Sequence, residues 1–169
     1  MRRLSRLAVL APIVIAACAP PPAAGFRNPA ATIASAALFD AARFADVWQV
    51  VAAYGAEAGC GPLSERWMPA GPGRFRVTGL ACGPRGPRVF AADARVVGPG
   101  RIARDGPGGT QALWVLWADA DYRIAVIGTP DGRFGRILAR RADPPSDLVA
   151  AAREVLEFNG YDLAGLRMI

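Results

Sequence analysis

Residues 88–97 read RVFAADARVV, and their side chains alternate: Phe90, Ala92, Ala94 and Val96 fall on one face, Asp93 and Arg95 on the other. Successive side chains of a strand point to opposite faces, so the stretch reads as a half-buried strand and not as a helix. Residues 74–82 repeat the pattern, with Phe75, Val77, Gly79 and Ala81 opposite Arg74, Arg76 and Thr78, and GPRG between the two runs has turn chemistry. Further candidate strands lie at 47–54, 63–68, 101–104, 111–118, 123–129 and 134–140, divided by breaks such as AGPG, DGPGG and PDG. Eight short strands at regular spacing predict a mainly β protein, an antiparallel barrel or sandwich. One apolar face per strand favours a closed sheet with a lined interior.

The pattern changes after Pro144-Pro145. In SDLVAAAREVLEFNG, Leu148, Ala152, Val155 and Leu156 share one helical face. Ser146 is placed to cap the helix, Asp147 to complement its dipole and Gly160 to close it. Such a helix should pack on the outside of the sheet, and the final GLRMI is long enough for a short ninth strand.

The chain has 169 residues, enough for one domain with a real core. Histidine is absent, which removes Ser–His–Asp and Cys–His triads and histidine-based metal sites. No catalytic group, metal ligand or cofactor stands out in the sequence. The net charge of +6 owes half its value to Arg2, Arg3 and Arg6, so no nucleic-acid footprint is expected.

Those three arginines open the N-terminus, and residues 7–17 follow without a charge. The run is too short to cross about 30 Å of hydrocarbon but suits a secretory signal, here residues 1–17. It ends Ile15-Ala16-Ala17-Cys18, which resembles the lipobox of bacterial lipoproteins. That resemblance implies cleavage before Cys18, its acylation, and attachment to a membrane. Ala19 in place of aspartate implies the outer membrane, with the domain facing the periplasm. Residues 18–36 are rich in Pro and Ala and read as a tether, leaving 37–169 as the folded domain.

Of the three cysteines, Cys60 and Cys82 then remain in an oxidising compartment, where a disulfide is the natural reading. A catalytic thiol is the less favoured alternative.

Three stretches in order carry a second resemblance. FDAARFADVWQV (39–50) is similar to the first lipocalin signature, Phe-Asp-x-x-Arg-Tyr-x-Gly-x-Trp-Tyr. DADYRIAVIGTPDG (119–132) is similar to the second, and FGRILARR (134–141) to the third. With the lipobox, the chain most resembles bacterial outer-membrane lipocalins related to apolipoprotein D. The resemblance implies an eight-stranded up-and-down barrel with one C-terminal helix outside it. Trp48 would plug the closed end under Arg140, and Asp121 and Tyr122 would shape a turn there. Asp46 stands where the family has glycine, a conformation that Asp tolerates better than most residues.

A calyx of this kind implies a fatty acid, lysophospholipid or other small amphiphile as ligand, and no enzyme. Val50, Phe75, Val77, Phe90, Ala92, Trp114 and Leu116 are the expected lining. Arg136 shares a strand face with Leu138 and Arg140. Inside an apolar cup its guanidinium needs an anionic partner, so it is a candidate for the ligand head group. The bland alternative turns Arg136 to solvent or a neighbouring Asp. A barrel filled by its own side chains, Trp114 and Trp117 among them, would instead be a scaffold or interaction module, and a homodimer is compatible with either.

Overall fold

The structure, a computed structural model, describes residues 25–83 and 85–169. A helical turn, α1 (Ala41–Phe44), leads into the strands β1 (Asp46–Ala53), β2 (Leu63–Pro69), β3 (Arg74–Gly83) and β4 (Gly86–Gly98). These are followed by β5 (Arg101–Gly106), β6 (Gly109–Ala118), β7 (Ile124–Gly128) and β8 (Gly135–Ala139). Each strand pairs antiparallel with the next, and β8 and β2 both pair with β1, so eight strands close on themselves. The helix α2 (Ser146–Phe158) lies outside, and β9 (Arg167–Met168) pairs with Ala52 and Ala53 of β1.

Two cores result. One fills the barrel and contains Phe44, Trp48, Leu63, Trp67, Phe75 and Val77. The other lies between the outer face of β1, β6, β7 and β8 and α2, and contains Val51, Val126, Ile137, Ala152 and Leu156. Strands β7 and β8 are buried on both faces, which is why IAVIG and GRILA show little alternation.

Helix α2 begins one residue earlier than its sequence implies. Pro145, not Ser146, holds the N-cap position, without a side-chain capping bond, and Ser146 is the first helical residue. Proline supplies no hydroxyl for the free N–H groups but presets φ, here −53°. At the other end, Asn159 Nδ2 donates back to the Val155 carbonyl and Gly160 takes φ +81°. Asp46 has φ +85°, the left-handed geometry that glycine provides without cost.

Residues 25–36, read above as tether, are instead fastened to the barrel. Phe26 stacks on Tyr54 at 5.1 Å, and the buried Arg27 donates to the carbonyls of Asn159, Pro130 and Ala31. The Ala36 N–H donates to the Val115 carbonyl at 2.8 Å. Aromatic contact and backbone pairing overcome the low apolar bulk that made this stretch look unstructured. The signal segment 1–17, Cys18 and the rest of the tether to residue 24 lie outside the described residues.

Candidate functional site

The barrel has one closed end. Trp48, fully buried near the start of β1, donates its indole N–H to the Phe44 carbonyl at 2.8 Å. Arg140, just past β8, lies 3.7 Å over the Trp48 ring. Its guanidinium donates to the carbonyls of Val47, Arg43, Ala45 and Tyr122, tying α1 and the β7 turn to the plug. Tyr122 has φ +55°, and its hydroxyl accepts from the Asp40 N–H. The residue that builds that turn is Asp119, whose carboxylate accepts from the Arg123 and Ile124 N–H groups and from Arg123 Nε. Asp121 is exposed beside Arg123.

At the opposite end the barrel opens into a cavity of about 820 Å³, lined among others by Glu57, Phe90, Ala92, Arg104, Gln111, Phe134 and Arg136. Its rim includes Pro107 and Gly108 between β5 and β6, and Thr129, Pro130, Asp131 and Arg133 between β7 and β8. That volume is within the range of small-ligand sites. Below it the barrel is filled: Trp67 meets Phe44 and Phe75 edge-on at 5.1 and 5.5 Å.

The boundary between cavity and core is charged. Arg136 is 2% exposed, and its fork is taken by the chain's own carboxylates. Its Nε donates to Glu57 Oε2 at 2.6 Å, Nη2 to Glu57 Oε1 and Nη1 to Glu65 Oε1. Burial alone would lower the Arg136 pKa, but Glu65 and Glu57 outweigh it and hold it above the usual arginine value. Glu65, 1% exposed, also accepts from Trp67 Nε1 at 2.9 Å. Arg104 is less well served. Its Nη2 donates to Gln111 Oε1 at 2.6 Å, while Nη1 lies 3.6 Å from Glu65 Oε1 and has no hydrogen-bond partner among the described residues. Burial pulls its pKa below the usual arginine value.

Glu57 reaches the cavity from a 3-10 turn, Gly55–Gly59, and the disulfide Cys60–Cys82 staples the end of that turn to β3 with its Cα atoms 5.7 Å apart.

Of the residues expected to line the cavity, Phe90, Ala92 and Arg136 do so. Val50, Phe75 and Val77 are buried in the filled part of the barrel. Trp114 and Leu116 are on the other face, packed into the outer core, with Arg101 lying 4.4 Å over Trp114. Trp117 is also outside. Leu113 and Val115 set the inward parity of β6, and a bulge between Val115 and Trp117 then shifts it. The anionic partner sought for Arg136 is supplied by Glu57 and Glu65, which the sequence reading missed together with Arg104. Glu65 and Arg104 had a signal: each is a charge two residues from an inward-facing apolar neighbour, Leu63 and Ile102.

Residues 91–169 match the family model described as a lipocalin-like domain. No curated protein matches the chain in sequence. Among solved structures, a siderocalin, Ex-FABP, described as functioning through dual ligand specificities, has a similar fold. It has a TM-score of 0.60 and 20% identity, over 75% of this chain and 93% of that one. Apocrustacyanin C2 also has a TM-score of 0.60, with 14% identity over 75% of this chain and 76% of its own. The closed barrel with its outer helix is therefore of the lipocalin fold, and from Ala91 onward the sequence is similar to the lipocalin-like domain.

Proposed function

We propose that the protein is a non-catalytic carrier that takes a small hydrophobic or amphipathic molecule into the open end of its barrel. The observation that carries this is the 820 Å³ cavity bounded by a plugged, aromatic-filled lower barrel. A fatty acid or lysophospholipid fits the fold's habit of holding one small ligand.

We further read Cys18 as acylated after removal of residues 1–17, holding the domain on the periplasmic side of the outer membrane for lipid storage or repair, in the manner of the bacterial outer-membrane lipocalins it resembles. The placement of Gly25 supports a role at the bilayer. Gly25 is backed against Asp131 and Phe26 N–H donates to the Gly132 carbonyl, both in the β7–β8 turn at the cavity rim. Seven residues from Cys18 to that point reach at most about 25 Å. A lipid on Cys18 would therefore hold the mouth of the barrel close to the membrane surface.

The alternative is a scaffold, favoured by the side chains that fill the lower barrel, Trp67 and Phe75 foremost. Native mass spectrometry of the protein extracted from its own membrane separates the two. A carrier retains a non-covalent lipid and shows acyl mass that Cys18→Ser removes. A barrel that is empty and refuses a fluorescent fatty acid overturns the carrier reading.

A further inference from the structure

Four arginines line the cavity, Arg88, Arg104, Arg133 and Arg136, but its carboxylates are largely committed elsewhere. Glu57 grips Arg136 with both oxygens, and Asp131 accepts from Thr129 Oγ1 and the Arg133 N–H. Glu65 spends one oxygen on Arg136 and the other on Trp67. Of the two buried arginines, Arg104 is the less completely served: its only carboxylate contact among the described residues is the ion pair with Glu65, too long for a hydrogen bond.

Its guanidinium lies 5.6 Å from the Phe90 ring and 5.7 Å from the Phe134 ring, so aromatic faces hold it without satisfying its N–H groups. The side chain is 13% exposed, and Glu65 attracts Nη1 at 3.6 Å without a hydrogen bond. Nη1 faces Glu65, so the guanidinium is incompletely satisfied there, and an oxyanion meeting its cavity-facing side would add a charge-assisted bond. Gln111 stands beside it with its carbonyl already accepting from Arg104, which leaves the amide N–H groups to donate to the same anion.

We infer that Arg104 and Gln111 form the head-group site of the cavity, and that the ligand is a single-chain amphiphile with a carboxylate or phosphate head directed inward. The inference rests on the carrier reading above and specifies its ligand. Arg104 sits two residues before Gly106 at the end of β5, roughly 7 Å below the strand end. The head therefore enters and stops at the charged floor, while the chain lies along Ala81, Phe90 and Ala92 towards the mouth. Arg136, 2% exposed and held by Glu57 and Glu65, orders the floor.

Titration calorimetry of the full domain with decanoate and with decanol tests this. The wild-type protein should bind decanoate about tenfold or more tightly than decanol, because a charge-assisted hydrogen bond is at stake. Arg104→Met should erase that preference through loss of decanoate affinity, and Gln111→Leu should reduce it. Inorganic phosphate alone should not displace decanoate. Equal affinity of the wild-type protein for the acid and the alcohol overturns the head-group site and needs no variant to fold. Displacement by phosphate overturns the amphiphile in favour of a free anion. Failure to take up either probe overturns the carrier reading itself, and this inference with it.

Discussion

Glu65 on β2 and Arg136 on β8 meet inside the barrel with β1 between their strands, and neither side chain is more than 2% exposed. Two charges this deep carry a desolvation cost that their mutual contact offsets together with Glu57 on Arg136 and Trp67 on Glu65. Glu65→Leu also strips Trp67 Nε1 of its acceptor. It should lower stability by about 3–5 kcal/mol in a denaturant titration. Arg136→Leu should cost less in that background than in the wild type, because its contact with Glu65 is already gone, although Glu57 loses its partner in both. Strictly additive losses in the double-mutant cycle would show that the two residues do not depend on each other.

Asp46 tests a different kind of strain. Its φ of +85° is left-handed, and its ion pair with Arg66 is exposed at 3.5 Å, worth little. Asp46→Ala should cost about 1 kcal/mol in thermal melts, since alanine tolerates that region less well. Asp46→Gly should be neutral or stabilising. Equal effects of the two substitutions would remove backbone geometry as the cause.

The disulfide Cys60–Cys82 closes a loop with a sequence separation of 22. Replacing both cysteines with serine should destabilise the domain by roughly 3 kcal/mol. Thiol titration of the folded, unreduced domain lacking Cys18 should find no free thiol. Glu57 lies three residues before Cys60, so its turn should lose hydrogen-exchange protection before the barrel strands do.

Much of this fold can be read from period-two alternation, and residues 74–82 and 88–97 show why. Their outer face meets water, so apolar and charged residues separate cleanly. On β6 both faces are buried, one in the barrel and one near α2, so bulk alone does not say which way Trp114 points. The bulge after Val115 then breaks the parity that would have decided it. The charged floor joins residues from β2, β5, β8 and the Gly55–Gly59 turn. Each charge could be assigned a face locally, but the meeting of Arg136 with Glu57 and Glu65 depends on closure of the barrel. The docking of residues 25–36 depends on surfaces made far along the chain, Tyr161 and Gly132 among them.

Acid should weaken the β6–β7 turn. Burial pushes the Asp119 pKa up, but bonds from the Ile124 and Arg123 N–H groups and the Arg123 guanidinium outweigh it and hold the pKa below the ordinary aspartate value. A depressed folded-state pKa means that the stabilisation is complete above the unfolded value of about 3.9 and is lost as pH falls through the folded one. Asp119→Asn should lower stability at neutral pH by about 1–3 kcal/mol and flatten the acid limb of the stability profile. An unchanged slope below about pH 4 would assign acid sensitivity to other carboxylates.

The placement of Trp114 and Ala92 on opposite faces of the wall gives the sharpest test of where the ligand goes. Trp114 packs in the outer core beneath Arg101, so Trp114→Ala should destabilise the domain by about 2–4 kcal/mol, yet leave ligand affinity within about twofold. Ala92 lines the cavity from β4 and is 6% exposed. Ala92→Trp drives an indole into the space between Phe90 and the charged floor, and should abolish uptake of a fluorescent fatty acid. The far-ultraviolet spectrum of the sheet should be retained. If Trp114→Ala abolishes uptake and Ala92→Trp spares it, the ligand binds on the outer face under α2 and not in the barrel.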